Sequence, residues 1–334
     1  MTKKKVIGVN GFGRIGRYFT RLALSNKQLN VAVINDLAPI ETLAHLFKYD
    51  SIHGISKENF KIEGNSLLFD SGQIIHFTQE KDPSLIPWDK FGVEYVVEST
   101  GLFLTKDLAL LHLKNNSGVK KVILSAPAND DDIRTVVLGV NDHLIEDSDI
   151  VISNASCTTN SAAPMIKVIR ELTDIQSAYI TTIHSYTSDQ RLHDSPHKDL
   201  RRARAAAMSI VPTSTGAAKA LTKIFPELEN HFGGCGMRVP VPDGSLTDLT
   251  LIVGTVPTVE QINNAFKSAS ETNLKGIIEY TTDPIVSVDI VGNPNSVLFD
   301  SELTSVIGNM VKLVGWYDNE AGYSNRLVDL LIKL

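Results

Sequence analysis

The segment Lys5-Val-Ile-Gly-Val-Asn10, followed by Gly11-Phe-Gly-Arg-Ile-Gly16, decides how the first half of this chain folds. Its first six residues form a short apolar run, which is typical of a buried strand. After the glycines, Phe19 and Leu22 fall at helical spacing from Ile15. Glycines between a strand and a helix permit a tight turn and let a ligand approach the backbone at the helix N-terminus. We therefore predict a strand, a ligand-binding loop and a helix, in this order.

The spacing of Gly11, Gly13 and Gly16 is that of dinucleotide-binding loops, and the flanking strand and helix are the context that this pattern requires. A second apolar run, Val31-Ala-Val-Ile34, is followed by Asp36, which lies 20 residues after Gly16. A turn residue would explain Asp36 taken alone. Together with the glycines, it predicts a carboxylate that accepts from a ribose 2′-hydroxyl. NAD is thus the expected cofactor, preferred over NADP because the carboxylate repels a 2′-phosphate.

Strand-like and helix-like patterns continue to alternate up to about residue 152. Helical patterns cover residues 40–47 and 106–113, and strand patterns cover residues 93–97, 121–124, 135–138 and 150–152. Hairpin-like segments interrupt the alternation between about residues 51 and 76. This order predicts an α/β fold with a Rossmann-type, doubly wound parallel sheet.

The pattern changes after residue 155, where strand-like runs dominate. They cover residues 178–184, 237–241, 246–253, 296–299 and 309–317, with helical patterns only at 216–225 and 259–270 before the last segment. This predicts an α+β catalytic domain with a largely antiparallel sheet. The amphipathic pattern from residue 321 onward predicts a C-terminal helix that packs on the first domain. We expect an NAD-binding domain of residues 1–155, joined by the helix 320–334, and a catalytic domain of residues 156–319.

Composition limits the class of protein. The chain has 334 residues, of which 43% are hydrophobic and 21% charged, with a net charge of −6 and two cysteines. The negative charge gives no general attraction to nucleic acid, and two cysteines cannot build a disulfide framework. The start, Met1-Thr-Lys-Lys-Lys5, is followed by too few apolar residues for a signal peptide. We expect a cytoplasmic protein without a membrane span, for which nucleic-acid binding is at most a side activity.

The stretch Ser153-Asn-Ala-Ser-Cys-Thr-Thr-Asn160 is the strongest candidate for chemistry. An apolar run precedes it, and residues spaced as one helix face follow it from Ala162, so Cys157 lies at a strand-to-helix junction. The unpaired N–H groups of a first helical turn stabilise a thiolate over a thiol. A small buried cysteine is the alternative. The surrounding small polar side chains favour a polar pocket and a reactive thiol.

Three further features accompany this cysteine. His184 ends a predicted strand, where a base can be held rigidly, although a single histidine is more often structural. A long polar segment of residues 185–203 contains several arginines, which offer an anion site, a subunit contact or a solvated face. Thr213-Ser-Thr-Gly216 opens a predicted helix and suits either a phosphate or a plain N-cap. No pattern indicates a metal site.

Five stretches resemble the phosphorylating glyceraldehyde-3-phosphate dehydrogenase family, and the similarity spans essentially the whole chain. They are Asn10-Gly-Phe-Gly-Arg-Ile-Gly16, Ser153-Asn-Ala-Ser-Cys-Thr-Thr-Asn160, Asp194 to Ala207 around His197-Lys-Asp-Leu-Arg-Arg-Ala-Arg204, Pro212-Thr-Ser-Thr-Gly-Ala-Ala-Lys219 and Trp316-Tyr-Asp-Asn-Glu-Ala-Gly-Tyr323. Two departures are visible. Ser161 replaces a second cysteine of the motif, and Val241-Pro-Asp-Gly-Ser245 differs from the usual Thr-Pro-Asn-Val-Ser.

The resemblance implies a role for each matched residue. Cys157 would be the nucleophile and His184 its base. The residues around the attacking inorganic phosphate would be Ser156, Thr158, Arg202, Thr215 and Gly216. Thr187 and Arg238 would hold the phosphate of the substrate. The dinucleotide contacts would be Gly11, Gly13, Arg14, Ile15, Gly16, Asp36, Lys81, Ser125 and Asn319, with Asn319 at the nicotinamide carboxamide.

The resemblance also implies an activity and an assembly. The expected reaction is NAD-dependent, phosphorylating oxidation of D-glyceraldehyde 3-phosphate to 1,3-bisphosphoglycerate, a step of glycolysis, through a thiohemiacetal and a thioester on Cys157. The expected assembly is a homotetramer. The first alternative is an erythrose-4-phosphate dehydrogenase, against which the stretch Thr213-Ser-Thr-Gly-Ala-Ala-Lys219 argues, because it has the form expected for binding inorganic phosphate. The second is a non-catalytic protein that senses NAD or binds RNA. Phosphate-dependent NADH formation distinguishes these alternatives.

Overall fold

The computed structural model describes residues 4–334, which form two compact units. The first unit comprises the described chain up to Val136, together with Leu144–Ala155 and Ser324–Leu334. The second comprises Val137–His143 and Ser156–Tyr323. Residues 1–3 lie outside the described residues. They are part of the N-terminal segment from which we predicted that the chain has no signal peptide.

The first unit contains eleven strands and three helices before its last helix. The strands are β1 (Lys5–Asn10), β2 (Leu29–Asn35), β3 (Tyr49–Asp50), β4 (Gly54–Ile55), β5 (Phe60–Glu63), β6 (Ser66–Phe69), β7 (Ile74–Thr78), β8 (Tyr95–Glu98), β9 (Lys121–Leu124), β10 (Arg134–Thr135) and β11 (Val151–Ser153). The helices are α1 (Arg14–Ser25), α2 (Ile40–Lys48) and α3 (Lys106–Leu110). These bounds agree with most of the predicted runs.

Nine of these strands form one sheet in the order β10-β11-β9-β8-β1-β2-β7-β6-β5. All pairs from β10 to β7 are parallel, and the β7-β6-β5 edge is an antiparallel hairpin extension. Apolar side chains from neighbouring strands, among them Val33, Val96 and Val122, are fully buried with Trp88. The strands are continuous apolar runs because a parallel sheet is covered on both faces. The predicted doubly wound parallel sheet is confirmed.

The second unit contains eight strands and three helices. The strands are β12 (Ile175–Ser185), β13 (Val211–Thr213), β14 (Phe232–Val239), β15 (Ser245–Val253), β16 (Ile278–Thr281), β17 (Val297–Asp300), β18 (Ser305–Ile307) and β19 (Met310–Tyr317). The helices are α4 (Cys157–Arg170), α5 (Ala217–Ile224) and α6 (Val259–Glu271). The predictions missed β13, β16 and β18, which have three or four residues each.

The sheet of the second unit runs β13-β14-β12-β15-β19-β17-β16, with β18 on β19. Most pairs are antiparallel, as predicted, but β12 pairs in parallel with β14 and β16 with β17. The register places Val211 opposite Arg238, and Arg238 opposite His184. Strand pairing thereby brings His184 and Arg238, which are far apart in sequence, side by side.

Helix α7 (Ala321–Lys333) ends the chain, as predicted. From Ser324 onward it belongs to the first unit, where Lys5 Nζ donates to the carbonyl oxygens of Leu331 and Ile332 at 2.8 and 3.1 Å. Among residues 4–334, no helix is long and apolar enough to cross a membrane.

One predicted strand is shorter than expected. Residues 135–138 were predicted as a strand, but β10 ends at Thr135. The chain turns there because Val137 N donates to Asn141 Oδ1 at 2.8 Å and Gly139 adopts a φ of +77°. The apolar run is buried in a turn, which periodicity does not distinguish from a strand.

Candidate active site

The glycine loop of the first unit is shaped to receive a ligand on its backbone. Gly11 has a φ of +92°, and a Cβ on Gly16 would lie 2.2 Å from Gly11 O, so both positions require glycine. A Cβ on Gly13 would meet nothing within 4 Å. The loop therefore packs tightly on itself at two glycines and is open at the third, before the first turn of α1. Such a cradle fits the pyrophosphate of a dinucleotide.

Asp36 holds its carboxylate against the same loop. Its Oδ2 accepts from Phe12 N at 2.8 Å, and its Oδ1 accepts from Ala38 N at 3.0 Å. Each carboxylate oxygen has further acceptor capacity, so both can still accept from hydroxyl groups. This arrangement fits the two hydroxyls of an adenosine ribose.

A buried glutamate, which the sequence analysis missed, ties together two strand ends beside this loop. Glu98 has no exposed surface. Its Oε2 accepts from Asn10 Nδ2 at 2.6 Å, and its Oε1 accepts from Thr100 N at 2.8 Å. His112 Nε2 lies 3.0 Å from Oε2. The only sequence signal was a charged residue at the end of an apolar strand, since a carboxylate there must find donors to be buried.

The remaining cofactor candidates in this unit differ in position. Arg14 begins α1, and its Nη1 donates to Asp50 Oδ2 at 2.7 Å, so its side chain is directed to a carboxylate. Ile15 is next in the first turn. Lys81 is exposed in the loop after β7, and Ser125 directly follows β9. The Arg14 side chain is thus engaged with a carboxylate, and the backbone of Arg14 and Ile15 forms the first turn of α1.

The second unit begins with the helix that carries the cysteine. Ser156 caps α4, since its Oγ accepts from Thr159 N at 3.1 Å, and Cys157 is the first helical residue. The helix thus begins four residues before the apolar periodicity from Ser161 indicated. Ala155, directly before the cap, has a φ of +55°. A non-glycine residue in this region stores of order 1–3 kcal/mol, and such strain clusters at functional sites.

Cys157 and His184 form a close pair. His184 lies near the end of β12 and is only 4% exposed, and its Nε2 is 3.4 Å from Cys157 Sγ. His184 Nδ1 lies 2.8 Å from Ser185 O and 2.6 Å from Arg238 Nη1. Both predicted catalytic residues are therefore brought together, with Arg238 as the next neighbour. This is the geometry of a nucleophile and its base.

Tyr317 supports the pair from β19, and the sequence analysis did not identify it. Its hydroxyl is hydrogen-bonded to Thr158 Oγ1 at 2.9 Å and to Thr182 Oγ1 at 2.8 Å. Its ring contacts the His184 ring edge to face, with centroids 6.0 Å apart. Tyr317 is buried, and burial raises the pKa of its hydroxyl. It remains a neutral phenol that orients the imidazole.

The electrostatics of the pair differ from the sequence-based expectation. Burial raises the pKa of the Cys157 thiol, and Arg238 and the hydrogen bonds from Thr158 lower it by less. The predicted net lowering of the thiol pKa is therefore wrong. Burial, followed by the positive charge of Arg238, lowers the pKa of His184 to about 3. Both shifts favour the uncharged forms, a thiol and a neutral imidazole.

The candidate phosphate-binding residues lie on several elements of this unit. Ser156 and Thr158 open α4, and Thr187 lies just after β12. Thr215 Oγ1 accepts from Ala217 N at 3.2 Å, next to Gly216, at the start of α5. The hydroxyls of Ser156, Thr158 and Thr215 are thus already engaged in caps or with Tyr317. The backbone N–H groups at the two helix starts are the donors that suit an anion.

Arg202 is held in the polar segment of residues 185–203. It forms an ion pair with Asp189, and its Nε donates to Thr213 Oγ1 at 3.0 Å. In this position it contacts carboxylates rather than standing open to an anion. These partners of Arg202 could not be predicted from the sequence, because a segment without periodic structure does not indicate which of its residues lie next to each other.

Asn319 follows β19, and its amide is fixed by two serines. Its Oδ1 accepts from Ser185 Oγ at 2.8 Å and from Ser245 Oγ at 2.7 Å. These bonds assign Oδ1 as the buried acceptor and leave the Nδ2 side as the donor end of the amide. An amide donor held in this way suits a carboxamide oxygen.

Comparison with known proteins identifies the family. Residues 5–106 match the domain family described as glyceraldehyde 3-phosphate dehydrogenase, NAD binding domain, and residues 156–319 match its C-terminal domain. The chain belongs to the glyceraldehyde-3-phosphate dehydrogenase family. Similar curated proteins are the glyceraldehyde-3-phosphate dehydrogenases of Mycobacterium avium (52% identical over 331 residues, 97% of each chain) and Priestia megaterium strain DSM 319 / IMG 1521 (52% over 326 residues, 97% of this chain and 96% of the relative). Glyceraldehyde-3-phosphate dehydrogenase 1 of Bacillus subtilis strain 168 is 50% identical over 326 residues.

Membership in the glyceraldehyde-3-phosphate dehydrogenase family confirms the predicted family, the α/β fold class and the class of enzyme, an NAD-dependent oxidoreductase. The cofactor of the family's N-terminal domain, NAD, is the predicted one. The glycine cradle and the Asp36 carboxylate fit this cofactor.

The departure Val241–Ser245 from the usual family pattern has a visible consequence. Asp243 is 2% exposed. Burial, then the charges of Asp318 and Glu320, raise its pKa to about 9. Asp318 is itself engaged, because its Oδ1 accepts from Glu320 N and Ala321 N at 2.8 and 2.7 Å. An aspartate in place of the usual asparagine therefore stays protonated at neutral pH.

Proposed function

We propose that this chain catalyses the phosphorylating oxidation of D-glyceraldehyde 3-phosphate to 1,3-bisphosphoglycerate with reduction of NAD. The observation that carries the proposal is the Cys157 thiol at the start of a capped helix, 3.4 Å from the Nε2 of a buried neutral imidazole. A neutral imidazole is the form that accepts a proton. The similarity of the whole chain to proteins named for this activity supports it.

The first chemical step forms a carbon–sulfur bond. Cys157 Sγ adds to the aldehyde carbon, and its proton passes to His184 Nε2 and on to the aldehyde oxygen, giving a thiohemiacetal with no net change of charge. His184 then accepts the hydroxyl proton of the thiohemiacetal as the carbon–hydrogen bond breaks. The chemistry that bound NAD supplies is acceptance of the hydride. The remaining acyl group is a thioester on Cys157.

The second chemical step uses inorganic phosphate. One phosphate oxygen attacks the thioester carbon, the carbon–sulfur bond breaks, and the sulfur regains a proton from His184. For this step we assign Ser156, Thr158, Arg202, Thr215 and Gly216 to the attacking phosphate, and Thr187 and Arg238 to the phosphate of the substrate. Backbone N–H groups at the starts of α4 and α5 support the first assignment. A partly buried guanidinium beside the base supports the second.

The residues that hold NAD are assigned by the same reasoning. Gly11, Gly13 and Gly16, with the backbone at Arg14 and Ile15, hold the pyrophosphate, and Asp36 holds the adenosine ribose. Lys81 and Ser125 lie on loops after β7 and β9, and Asn319 donates to the nicotinamide carboxamide. We also assign residues 1–155 with 320–334 to cofactor binding and residues 156–319 to catalysis.

The protein is further proposed to be a cytoplasmic homotetramer. Both cysteines are free thiols, which suits a reducing compartment. Four apolar side chains of the second unit are 68–84% exposed: Leu192, Leu200, Met208 and Ile210. Such a concentration of exposed apolar groups in one segment suits burial between copies of the chain. Light scattering should give the mass of four copies of the 36.5 kDa chain, and a monomer would contradict this assignment.

The activity is tested by following NADH formation. The purified protein is given D-glyceraldehyde 3-phosphate and NAD, with inorganic phosphate or with sulfate at equal ionic strength, and D-erythrose 4-phosphate replaces the substrate in a parallel assay. We expect turnover with glyceraldehyde 3-phosphate that depends on phosphate. Sustained NADH formation without phosphate, or a preference for erythrose 4-phosphate, would contradict the proposal.

A further inference from the structure

A row of polar side chains crosses the carboxyl ends of four neighbouring strands of the first sheet. Glu98, Asn10, Asn35 and Thr78 end β8, β1, β2 and β7, which are consecutive in that sheet. We call these four residues the polar row. In a doubly wound sheet this is the edge at which a dinucleotide binds. The directions of the hydrogen bonds in the polar row therefore bear on the cofactor site.

The backbone of Glu80 fixes one end of the polar row. Glu80 N, a donor, lies 2.8 Å from Asn35 Oδ1, and Glu80 O, an acceptor, lies 2.8 Å from Asn35 Nδ2. Asn35 Nδ2 also donates to Asn10 Oδ1 at 2.9 Å. The amide of Asn10 is fixed in turn, and its Nδ2 lies 2.6 Å from Glu98 Oε2. A donor therefore reaches Glu98 from this end.

At the other end, an indole fixes the tautomer of His112. Trp88 Nε1 donates and cannot accept, so His112 Nδ1, 3.2 Å away, must be the unprotonated ring nitrogen. The proton of the imidazole is then on Nε2, which lies 3.0 Å from Glu98 Oε2. Neither ring has any exposed surface. A second donor therefore reaches the same oxygen of Glu98.

Donors meet both carboxylate oxygens of Glu98. Oε2 accepts from Asn10 and His112. Oε1 accepts from Thr100 N at 2.8 Å and from Thr100 Oγ1. A carboxylate accepts at both oxygens, whereas the amide of a glutamine carries two N–H donors at one of its ends. A glutamine at this position would face donors with its own donors in either orientation.

Glu98 holds the glycine loop from two sides. On one side it binds Asn10, which directly precedes Gly11. On the other side it binds Thr100, and a Cβ on Gly11 would lie 2.8 Å from Thr100 N. Ser99 Oγ, between these residues, donates to Gly11 O at 2.6 Å. A change of hydrogen-bond directions at Glu98 would therefore shift the peptide groups of the cradle.

We propose that Glu98 is a positioning residue for NAD, whose buried carboxylate directs the hydrogen bonds of the polar row and thereby holds the Gly11 turn and residues 80–81 in the form that binds the cofactor. Glu98 acts through Asn10 and Thr100 rather than by contact with NAD. The inference rests on the proposed function in one respect, the assignment of the glycine loop and Lys81 to NAD.

Calorimetric titration of the purified protein with NAD tests the proposal. Glu98→Gln keeps the size of the side chain but sets donor against donor, and we expect the Kd for NAD to rise by about tenfold. ADP-ribose, which carries the adenosine and the pyrophosphate but no nicotinamide, should lose affinity by the same factor. An unchanged Kd for NAD, or a loss with NAD that is absent with ADP-ribose, would overturn the proposal.

Glu94→Gln is the matched control, because it makes the same substitution directly before the other end of β8. The Oε1 of Glu94 lies 2.9 Å from Lys120 Nζ, and Glu94→Gln should bind NAD as the parent does. In steady-state kinetics, Glu98→Gln should raise KM for NAD by about tenfold and keep kcat within about threefold of the parent value. A general loss of stability does not produce this split. Equal losses of NAD affinity in the two variants would contradict a specific role of Glu98.

The parent protein provides a measurement that needs no variant. NMR of the ¹⁵N-histidine-labelled protein reports the tautomer of His112, which is recognised by the proximity of its ring to the indole N–H of Trp88. We expect protonation on Nε2, both with and without NAD. Protonation on Nδ1 would mean that the hydrogen bonds do not converge on Glu98, and the proposal would fall. If Glu98→Gln does not fold, as its circular dichroism would reveal, this measurement decides.

The two proposals fail in different ways. NADH formation from glyceraldehyde 3-phosphate by the parent tests the proposed function and involves no variant of Glu98. An active parent, together with a Glu98→Gln variant that binds NAD equally well, overturns this inference alone. An inactive parent that binds NAD, and loses affinity in Glu98→Gln as expected, contradicts the proposed function and supports the inference.

Discussion

The cofactor cradle of the first unit and the thiol site of the second both lie where a helix begins, but they are built differently. The cradle consists of Gly11–Gly16 and Asp36, which one strand, one turn and the next strand bring together. The thiol site joins Cys157, His184, Arg238 and Tyr317, which come from α4, β12, β14 and β19. The first site uses backbone geometry that a local motif encodes. The second uses side chains that only strand register brings together.

This difference has an energetic counterpart. In the cradle, the conformation is set by Gly11 and Gly16, which admit no Cβ, and a ligand would meet N–H groups whose positions the helix fixes. In the thiol site, buried polar groups depend on one another: the Tyr317 hydroxyl serves two threonines, and His184 Nδ1 is shared between Ser185 and Arg238. Substitutions in the thiol site should therefore have larger and less additive effects.

The largest effect is expected at the nucleophile. Cys157→Ser should lower the rate of NADH formation by about 10⁴-fold or more, because a hydroxyl beside a neutral imidazole is a far weaker nucleophile than a thiol. Cys235→Ser is the matched control, since Cys235 lies on β14 and its sulfur is 3.8 Å from Thr181 Oγ1. The control should retain activity within about twofold. Full activity of Cys157→Ser would remove the thiol from the mechanism.

The second effect concerns the base. His184→Asn should slow the single-turnover burst of NADH by about 10²–10⁴-fold, the usual contribution of a general base. The comparison is with His231→Asn, which changes an exposed histidine of the same unit and should leave the burst unchanged. A burst of unchanged rate in His184→Asn would make His184 a structural residue at the end of a strand.

A third effect tests the cradle. Asp36→Asn keeps an acceptor for Phe12 N but removes the negative charge that repels a 2′-phosphate. At about 4 Å and an effective dielectric of about 20, this repulsion is about 4 kcal/mol per charge pair before relaxation. The ratio of kcat/KM for NAD to that for NADP should fall by about 10- to 100-fold. Asp50→Asn, which removes the partner of Arg14 instead, should not change the ratio. Equal effects of the two substitutions would refute the ribose assignment.

The smallest effect concerns stability rather than catalysis. An aspartate of the unfolded chain loses its proton near pH 4, whereas folded Asp243 keeps it up to about pH 9. Unfolding between these values releases a proton, so the free energy of unfolding falls as pH rises through this window. Asp243→Asn removes this loss and should stabilise the protein by about 1–3 kcal/mol near pH 8.5, and by less near pH 5.

Thermal unfolding at several pH values measures this difference. Asp283→Asn, in which the replaced side chain is exposed, serves as the control and should leave the midpoint unchanged at each pH. A stabilisation by Asp243→Asn that is the same at pH 5 and at pH 8.5 would contradict a raised pKa. The pKa of Asp243 would then be close to that of an exposed aspartate, and burial would not have the effect at this carboxyl that it has at the thiol.

Within this protein, the amino-acid sequence alone determined the elements and the chemistry-bearing residues that local patterns encode. The strand β1, the glycine loop, Asp36 and the position of Cys157 at a helix start follow from apolar periodicity, glycine spacing and small polar residues, all of which act within a few residues. The short strands β13, β16 and β18 were not predicted, because three or four residues are too few to show a periodic pattern. The end of β10 was predicted wrongly, because a buried turn is as apolar as a strand.

Only the tertiary structure decided how the thiol behaves and what faces it. The helix N-terminus predicted a lowered thiol pKa, but the extent of burial, which depends on the packing of α4 against the sheet, raises the pKa by more than the helix N–H groups and Arg238 lower it. The contact between Arg238 and His184, 54 residues apart, exists because β14 pairs with β12 in one register. Register is a property of paired strands, and a shift by one residue would turn Arg238 to the opposite face.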